Sequence, residues 1–449
     1  MTDAAAMAAA TPDSRDRYVD FLKVASLLGV IFGHFIMAVV LLDQAAETFE
    51  FTNILELAPW TRWGTLLLQV MPIFFVAGGF AHAVSWRSLT RRGGGYADFV
   101  QARIGRLVHP ALVFIGVWLV IGATLDVLVG DDRFVQSVAQ IAGQFLWFIG
   151  IYVLAAAFAP LTLRAHERWG VWALAVLVAL VVAVDVLRIA ADVPGVMWFN
   201  FAFAWLAVHQ MGYFYADGVA DRVGSVRLGA ILVAVGAGAL ALLVSVGPYG
   251  ISMVSYKGEE LSNMAPPTLA YLTFAVAQTG VLLLLRLPLT RWLARPRVWR
   301  GVIVGGAVAM TAFLWHFTAL IGIYAILWLA GFDMTDVPTG ARWWAIKGLL
   351  LIPFSGLVLL LVMVFRRFDR PPPRAAVVGH ARWRAALAAL SAACATIGML
   401  GFAMVGFRGV VSGYTGAVAG IPMTTLLASG LVAASAVLAA LAVRGRKVP

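Results

Sequence analysis

The sequence is poor in what holds a water-soluble domain together. A single cysteine, Cys394, among 449 residues excludes any intramolecular disulfide. Asp, Glu, Lys and Arg make up 12% of the chain, roughly half their ~25% share in ordinary soluble domains. That scarcity excludes a soluble enzyme, a disordered protein and a nucleic-acid-binding domain. The net charge of +11 carries no polyanion signal, because membrane proteins collect basic residues on cytoplasmic loops for topological reasons. No close His-x3-His or Cys-x2-Cys pairing occurs, so no bound metal is expected. A GxSxG nucleophile elbow is also missing. The opening MTDAAAMAAATPDS has no long apolar core, and residues 1–17 read as a disordered cytoplasmic tail rather than a signal peptide.

Apolar residues are what the chain has in quantity, at 62%. A membrane-crossing helix takes about 20 of them, and lipid leaves no backbone group unsatisfied. Twelve such runs lie at 20–42, 64–84, 107–129, 137–161, 171–190, 196–216, 228–247, 268–289, 302–330, 343–365, 385–407 and 416–443. The expected fold is therefore all-α, a polytopic membrane protein of about twelve helices. With the N-terminus cytoplasmic, 26 of the 33 Lys and Arg residues fall on inner loops, which predicts that both termini are inside. The basic, proline-rich stretch RRFDRPPPRAAVVGHARWR at 366–384 cannot be helical throughout. It divides a ten-helix domain (18–368) from a two-helix extension and tail (385–449), with 369–384 as a cytoplasmic linker. The longest outer loop, 247–268, fits either an acceptor-binding segment or an ordinary solvated connector.

Ionisable groups inside membrane helices are costly and become functional candidates. The first span, VDFLKVASLLGVIFGHF, holds Asp20, Lys23 and His34. Eleven residues separate Lys23 from His34, which puts them on one helical stripe roughly 16 Å apart along the axis. Taken singly, Lys23 also fits a snorkelling interface anchor, and His34 a histidine bonded between helices. His316, mid-span in MTAFLWHFTAL, admits a structural role as readily as a functional one, whereas His209 reads as structural. In LLLQVMPIFFVAGGFAHAVSW, Pro72 and the Gly78–Gly79 pair predict a kink or interruption; a pair of packing glycines is the equal alternative. The basic loop that follows carries Arg87, Arg91, Arg92, Arg103 and Arg106. Topology accounts for much of it, and arginine forks also suit phosphate groups.

In this order, these stretches resemble the acyltransferase 3 family of integral-membrane O-acyltransferases. Asp20-Phe21-Leu22-Lys23, followed by His34, matches a lead-in with a basic residue and, after ten more residues, an essential histidine. Phe74-Phe75-Val76-Ala77-Gly78-Gly79-Phe80 is similar to FF-x-x-SGF, and Arg103-Ile104-Gly105-Arg106-Leu107-Val108-His109-Pro110 to R-x-x-R-L-x-x-P. Leu146-Trp147-Phe148 and Leu314-Trp315-His316 also fit, and the resemblance covers residue 15 to about 368. Two positions depart: Lys23 stands for the family's arginine, and Gly78 for its serine.

The resemblance implies transfer of an acyl group, acetyl or another short chain, from cytoplasmic acyl-coenzyme A to a hydroxyl of a carbohydrate, cell-envelope lipid or secondary-metabolite acceptor. Coenzyme A enters as co-substrate and no bound cofactor is expected; the implied location is a bacterial-type cell membrane. His34 is the expected base or transient acyl carrier. Lys23 would hold the polar end of the donor, His316 the oxyanion or acceptor, and the five arginines the nucleotide phosphates. A secondary transporter is the competing class, since twelve helices and an interrupted one suit it as well. A catalytically silent binding or assembly subunit is a third, given the residues at 23 and 78.

Overall fold

The computed structural model describes residues 10–12, 15–43, 48–129, 133–332, 340–369 and 381–443. In chain order the principal elements are α1 (Arg17–Met37), β1 (Ala38–Asp43), β2 (Thr48–Asn53), α2 (Met71–Arg91), α3 (Tyr96–Val129), α4 (Arg133–Gln144) and α5 (Leu146–Trp169). There follow α6 (Val171–Ile189), α7 (Asn200–Ala216), α8 (Ser225–Val246), α9 (Leu269–Leu293), α10 (Pro296–Leu329) and α11 (Ala341–Phe365). The chain closes with α12 (Arg382–Val405), β3 (Thr415–Val418), β4 (Ile421–Thr424) and α13 (Thr425–Ala442). Among the described residues, eleven helical segments are long and apolar enough to cross a membrane. The protein is an all-α, multi-pass membrane protein. The expected span at 196–216 is the one that falls short: α7 has 17 residues, behind a four-residue 3-10 turn, Val196–Phe199. The expected tail at 1–17 and linker at 369–384 lie largely outside the described residues.

Several expected boundaries move, each for a local reason. The first span stops at Met37 instead of running to 42, because Ala38 to Asp43 pair antiparallel with Thr48 to Asn53. β-branched Val39 and Val40 suit that strand. The last span begins at Thr425 rather than 416, since a hairpin occupies 415–424. Its two-residue turn has Ala419 at φ +50° and Gly420 at φ +82°, the left-handed pair that matches strand twist. The basic loop at 85–106 shrinks to a turn at 92–95, with Arg87 and Arg91 on α2 and Arg103 and Arg106 on α3. The second span is interrupted earlier than Pro72. A short helix, Thr65–Leu68, ends at Gln69 in extended conformation, φ −78° and ψ 94°. Pro72 then sits in the first turn of α2, where its missing N–H is no loss. Gly79 lies within unbroken helix and serves packing: a Cβ there would meet the carbonyl oxygen of His209.

The chain divides into two compact units. The first combines Met1–His34, Ala58–Ser85 and Phe158–Phe313; the second combines Phe35–Leu57, Trp86–Ala157 and Leu314–Pro449. In the first, Tyr18, Val19, Leu22, Ala77, Leu282, Leu293, Trp299 and Val302 form a buried cluster around the start of α1. Asp16 caps that helix by accepting from the Val19 N–H at 3.0 Å, and the Tyr18 hydroxyl donates to the Leu282 carbonyl at 2.7 Å. In the second unit an aromatic core gathers Phe114, Trp118, Phe145, Trp315 and Phe407. The C-terminal pair belongs to it: the Phe407 N–H donates to the Ala139 carbonyl at 2.9 Å, and Thr396 to Gly150 at 3.1 Å.

Candidate active site

α1 presents two unlike faces. Leu28 and Phe32 are 53% and 39% exposed, whereas Leu27 and Val30, which lie between Lys23 and His34 on their stripe, are 7% and 9% exposed. The Lys23–His34 stripe therefore points into protein, and the opposite face carries the hydrophobic residues expected against lipid. His34 is half-buried and lies one turn before the end of α1. On a neighbouring stripe, a Cβ at Gly29 would meet Val70 and one at Gly33 would touch the Leu68 carbonyl. Small residues thus let α1 approach the interruption of the second span. Lys23 lies 3.7 Å from the Asp20 carboxylate, which also accepts from the Arg15 guanidinium at 2.5 Å. A charged ladder of this kind near a helix start suits an interface. It still leaves Lys23 about a quarter exposed.

Side chains and loop backbone take up hydrogen bonds at the interruption. The freed Gln69 carbonyl accepts from Gln278 Nε2 at 2.6 Å. Gln69 Nε2 donates to the Met253 carbonyl at 3.0 Å, and its Oε1 accepts from the Met71 N–H at 3.1 Å. Thr65 Oγ1 accepts from the Met253 N–H at 2.9 Å. Broken backbone at membrane depth persists where protein groups replace the lost helical bonds; Gln278 of α9 and Met253 of the 247–268 loop supply them here. That loop is anchored in turn by Asp185, whose carboxylate accepts from Asn200, the Tyr249 hydroxyl and the Leu269 N–H at 3.0, 2.9 and 2.7 Å. Burial lifts the Tyr249 hydroxyl above its ordinary range, with the Asp185 charge adding to it. Burial likewise raises the Glu259 carboxyl, against hydrogen bonds from Ser262, the Tyr256 N–H and Ser255.

The remaining sequence candidates fall in the second unit. The five arginines lie on either side of the α2–α3 turn, Arg87 and Arg91 on α2, Arg92 in the turn, Arg103 and Arg106 on α3. Trp86 packs edge-on against Phe99 with centroids 5.3 Å apart, and Asp98 accepts from the Gly95 N–H at 2.9 Å to fix the start of α3. Arg91, Arg92 and Arg106 are exposed there, Arg87 and Arg103 half-buried. Arg103 lies over the Phe99 ring at 4.1 Å. His316 is fully buried, against Phe145 and Phe317 with centroids 5.2 and 4.8 Å away. No group of three or more His, Cys, Asp or Glu able to hold a metal occurs among the described residues.

Two arrangements escape sequence inspection. His82 and His209 form a buried pair, ring nitrogens 2.9 Å apart. Their elements lie far apart in sequence, so no spacing signals the contact; the only hint was Gly79 and Gly212, small residues three positions from each histidine. Lys347 is 4% exposed and donates to the Ala38 carbonyl and the Tyr324 hydroxyl, each at 2.7 Å. A lone lysine five residues into an apolar span was the available clue.

Such a chain, many-spanned and with a basic residue and a histidine sharing an inward stripe, is an integral-membrane protein. It belongs to the acyltransferase 3 family: the family model, described as an acyltransferase domain, matches residues 16–367. No curated protein and no solved structure matches the chain. The protein is a multi-pass membrane acyltransferase.

Proposed function

We propose that the protein is an O-acyltransferase of the cell membrane, moving a short acyl group from cytoplasmic acyl-coenzyme A to a hydroxyl of a carbohydrate, envelope lipid or secondary metabolite. The observation that carries this reading is the inward stripe of α1. His34, Val30, Leu27 and Lys23 turn away from the Leu28–Phe32 face in a chain of an acyltransferase family. Histidine has the ordinary pKa a general base needs at neutral pH. His34 takes the proton of the acceptor hydroxyl as its oxygen attacks the thioester carbonyl carbon. The carbon–sulfur bond then breaks, and coenzyme A leaves as a thiolate that receives the proton from the imidazolium. Lys23, nearer the inner surface in the N-in, C-in topology, holds the polar part of the donor. The roughly 16 Å of helix between the two residues is of the order of an extended phosphopantetheine arm. Arg87, Arg91, Arg92, Arg103 and Arg106 provide exposed and half-buried forks for the nucleotide phosphates. His316 serves the developing oxyanion or the acceptor. Release of free coenzyme A from acetyl-coenzyme A by the purified protein and its His34→Ala variant, with water as the hydroxyl that takes the acetyl group, tests the proposal. Wild-type release by the variant refutes the role of His34. For Lys23, donor affinity better kept by Lys23→Arg than by Lys23→Met supports its role, and equal affinity in both removes it.

A further inference from the structure

The end of α1 is held from one side by groups that the reaction above does not use. Lys347 on α11 is 4% exposed, and no carboxylate pairs with it among the described residues. Its amino group donates to the Ala38 carbonyl and the Tyr324 hydroxyl, both at 2.7 Å, and Tyr324 donates to the same Ala38 carbonyl at 2.9 Å. The ammonium also lies over the rings of Phe35, Tyr324 and Trp343, at 4.7, 5.2 and 5.5 Å from their centroids. Phe35 is stacked on Phe354 of the same α11, centroids 4.7 Å apart. A buried cation without a counter-ion is expensive unless other groups stabilise it. Here the helix's negative end and three aromatic faces do so. On the α1 side the contacts fall on Phe35 and Ala38, the first and fourth residues after His34, and α1 ends at Met37. The Ala38 bonds hold backbone, and the Phe35 contacts hold a side chain.

We infer that Lys347 and Tyr324 are positioning residues: they clamp the C-terminal end of α1 and thereby set the height and rotation of His34. The inference rests on the catalytic reading of His34 given above. A clamp of this kind acts on orientation, and a misplacement of about 1 Å at a reacting group can cost on the order of 100-fold in rate. It leaves the donor's binding groups alone, so the loss belongs in kcat and not in KM.

The test uses the full-length protein in detergent, with acetyl-coenzyme A as the probe and release of coenzyme A as the readout. Lys347→Met is expected to lower kcat by about tenfold or more while KM for the donor stays within about threefold. Lys347→Arg, which keeps donors and charge, should restore most of kcat. Tyr324→Phe, which removes one hydrogen bond and leaves the ring, should show a smaller loss in the same parameter. Hydrogen exchange of the amides at 35–39 should speed up in Lys347→Met. A wild-type kcat in Lys347→Met overturns the inference, as do unchanged exchange at 35–39 and a loss confined to KM. If Lys347→Met does not yield a folded protein, Tyr324→Phe decides, and full kcat there overturns it. His34→Ala is run in parallel. Full activity in that variant refutes the catalytic reading, whereas unchanged exchange in Lys347→Met refutes the clamp itself.

Discussion

Two of the helix pairs packed on small residues differ in what they bury: α2 and α7 hold a pair of histidines, whereas α12 and α13 hold hydroxyls. Between α2 and α7, a Cβ at Gly79 would strike the His209 carbonyl, and one at Gly212 the backbone of Val76 and Phe80. One turn along, His82 and His209 meet at 2.9 Å, both buried. Tyr213 of the same helix lies edge-on to His209, centroids 5.3 Å apart. Between α12 and α13, Gly398 and Gly401 face Val432 and Ala428 in a looser approach, mostly to side chains, and the polar contact is a hydroxyl: Ser391 donates to the Ser435 carbonyl at 2.6 Å. Close approach of backbones is enough to hold helices together in lipid. The histidines of the first pair are therefore not needed for adhesion, and their burial at membrane depth is costly. The same contrast separates the polar first unit, with its interrupted span, from the glycine- and alanine-rich C-terminal pair.

The contrast breaks most severely where two backbones touch. Gly212→Val puts branched carbon onto the Val76 carbonyl and the Phe80 N–H, neither of which is a flexible side-chain end. Overpacking of this kind costs on the order of 3 kcal/mol or more, so the variant should fail to give a monodisperse peak in detergent. A normal peak and melting temperature would show that α2 and α7 are not in contact. Asp185→Leu comes next, because it leaves the donors of Asn200, Tyr249 and Leu269 buried without an acceptor. About 3 kcal/mol of stability should go, read as a lowered melting temperature and faster proteolysis within 247–268. Ser391→Ala should cost only about 0.6 kcal/mol, the usual worth of such a bond in a membrane. A loss as large as that of Asp185→Leu would erase the distinction between the two regions.

The smallest effect concerns pH. Glu259 has its carboxyl raised by burial, so the folded loop binds that proton more tightly than the unfolded chain does. The resulting stability is complete at acid pH and is lost as pH rises through the raised value. Glu259→Gln, which keeps an acceptor for the Tyr256 N–H, should match wild type in melting temperature near pH 4 and exceed it slightly at pH 8. A variant less stable than wild type at pH 8 would contradict this.

Much of the fold was legible because the bilayer imposes one rule on every span: twenty apolar residues form a helix whatever their neighbours. The rule loses its grip where that length fails. The 17 residues of α7 are fewer than the length expected of a span, and the strand following Met37 was misjudged because Val39, Val40 and Leu41 are as apolar as any helix. Position along a helix was legible too, since the periodicity alone put Lys23 and His34 on one stripe. What lay beyond reach were partners distant in sequence. Gln278 satisfying the Gln69 carbonyl, His209 meeting His82, and Lys347 holding Ala38 all depend on how helices cross, which no spacing within one helix records. The interruption itself was expected at Pro72 and occurs at Gln69, because a proline fits the first turn of a helix and the break belongs just before it.

The central claim is that the histidine on the inward stripe of α1 performs the proton transfer. The most direct test is single-turnover kinetics of the purified protein with acetyl-coenzyme A, comparing wild type with His34→Gln. A general base contributes about 100- to 10,000-fold, so His34→Gln should release coenzyme A at least about 100-fold more slowly with its melting temperature unchanged. Release within about twofold of wild type would contradict the account.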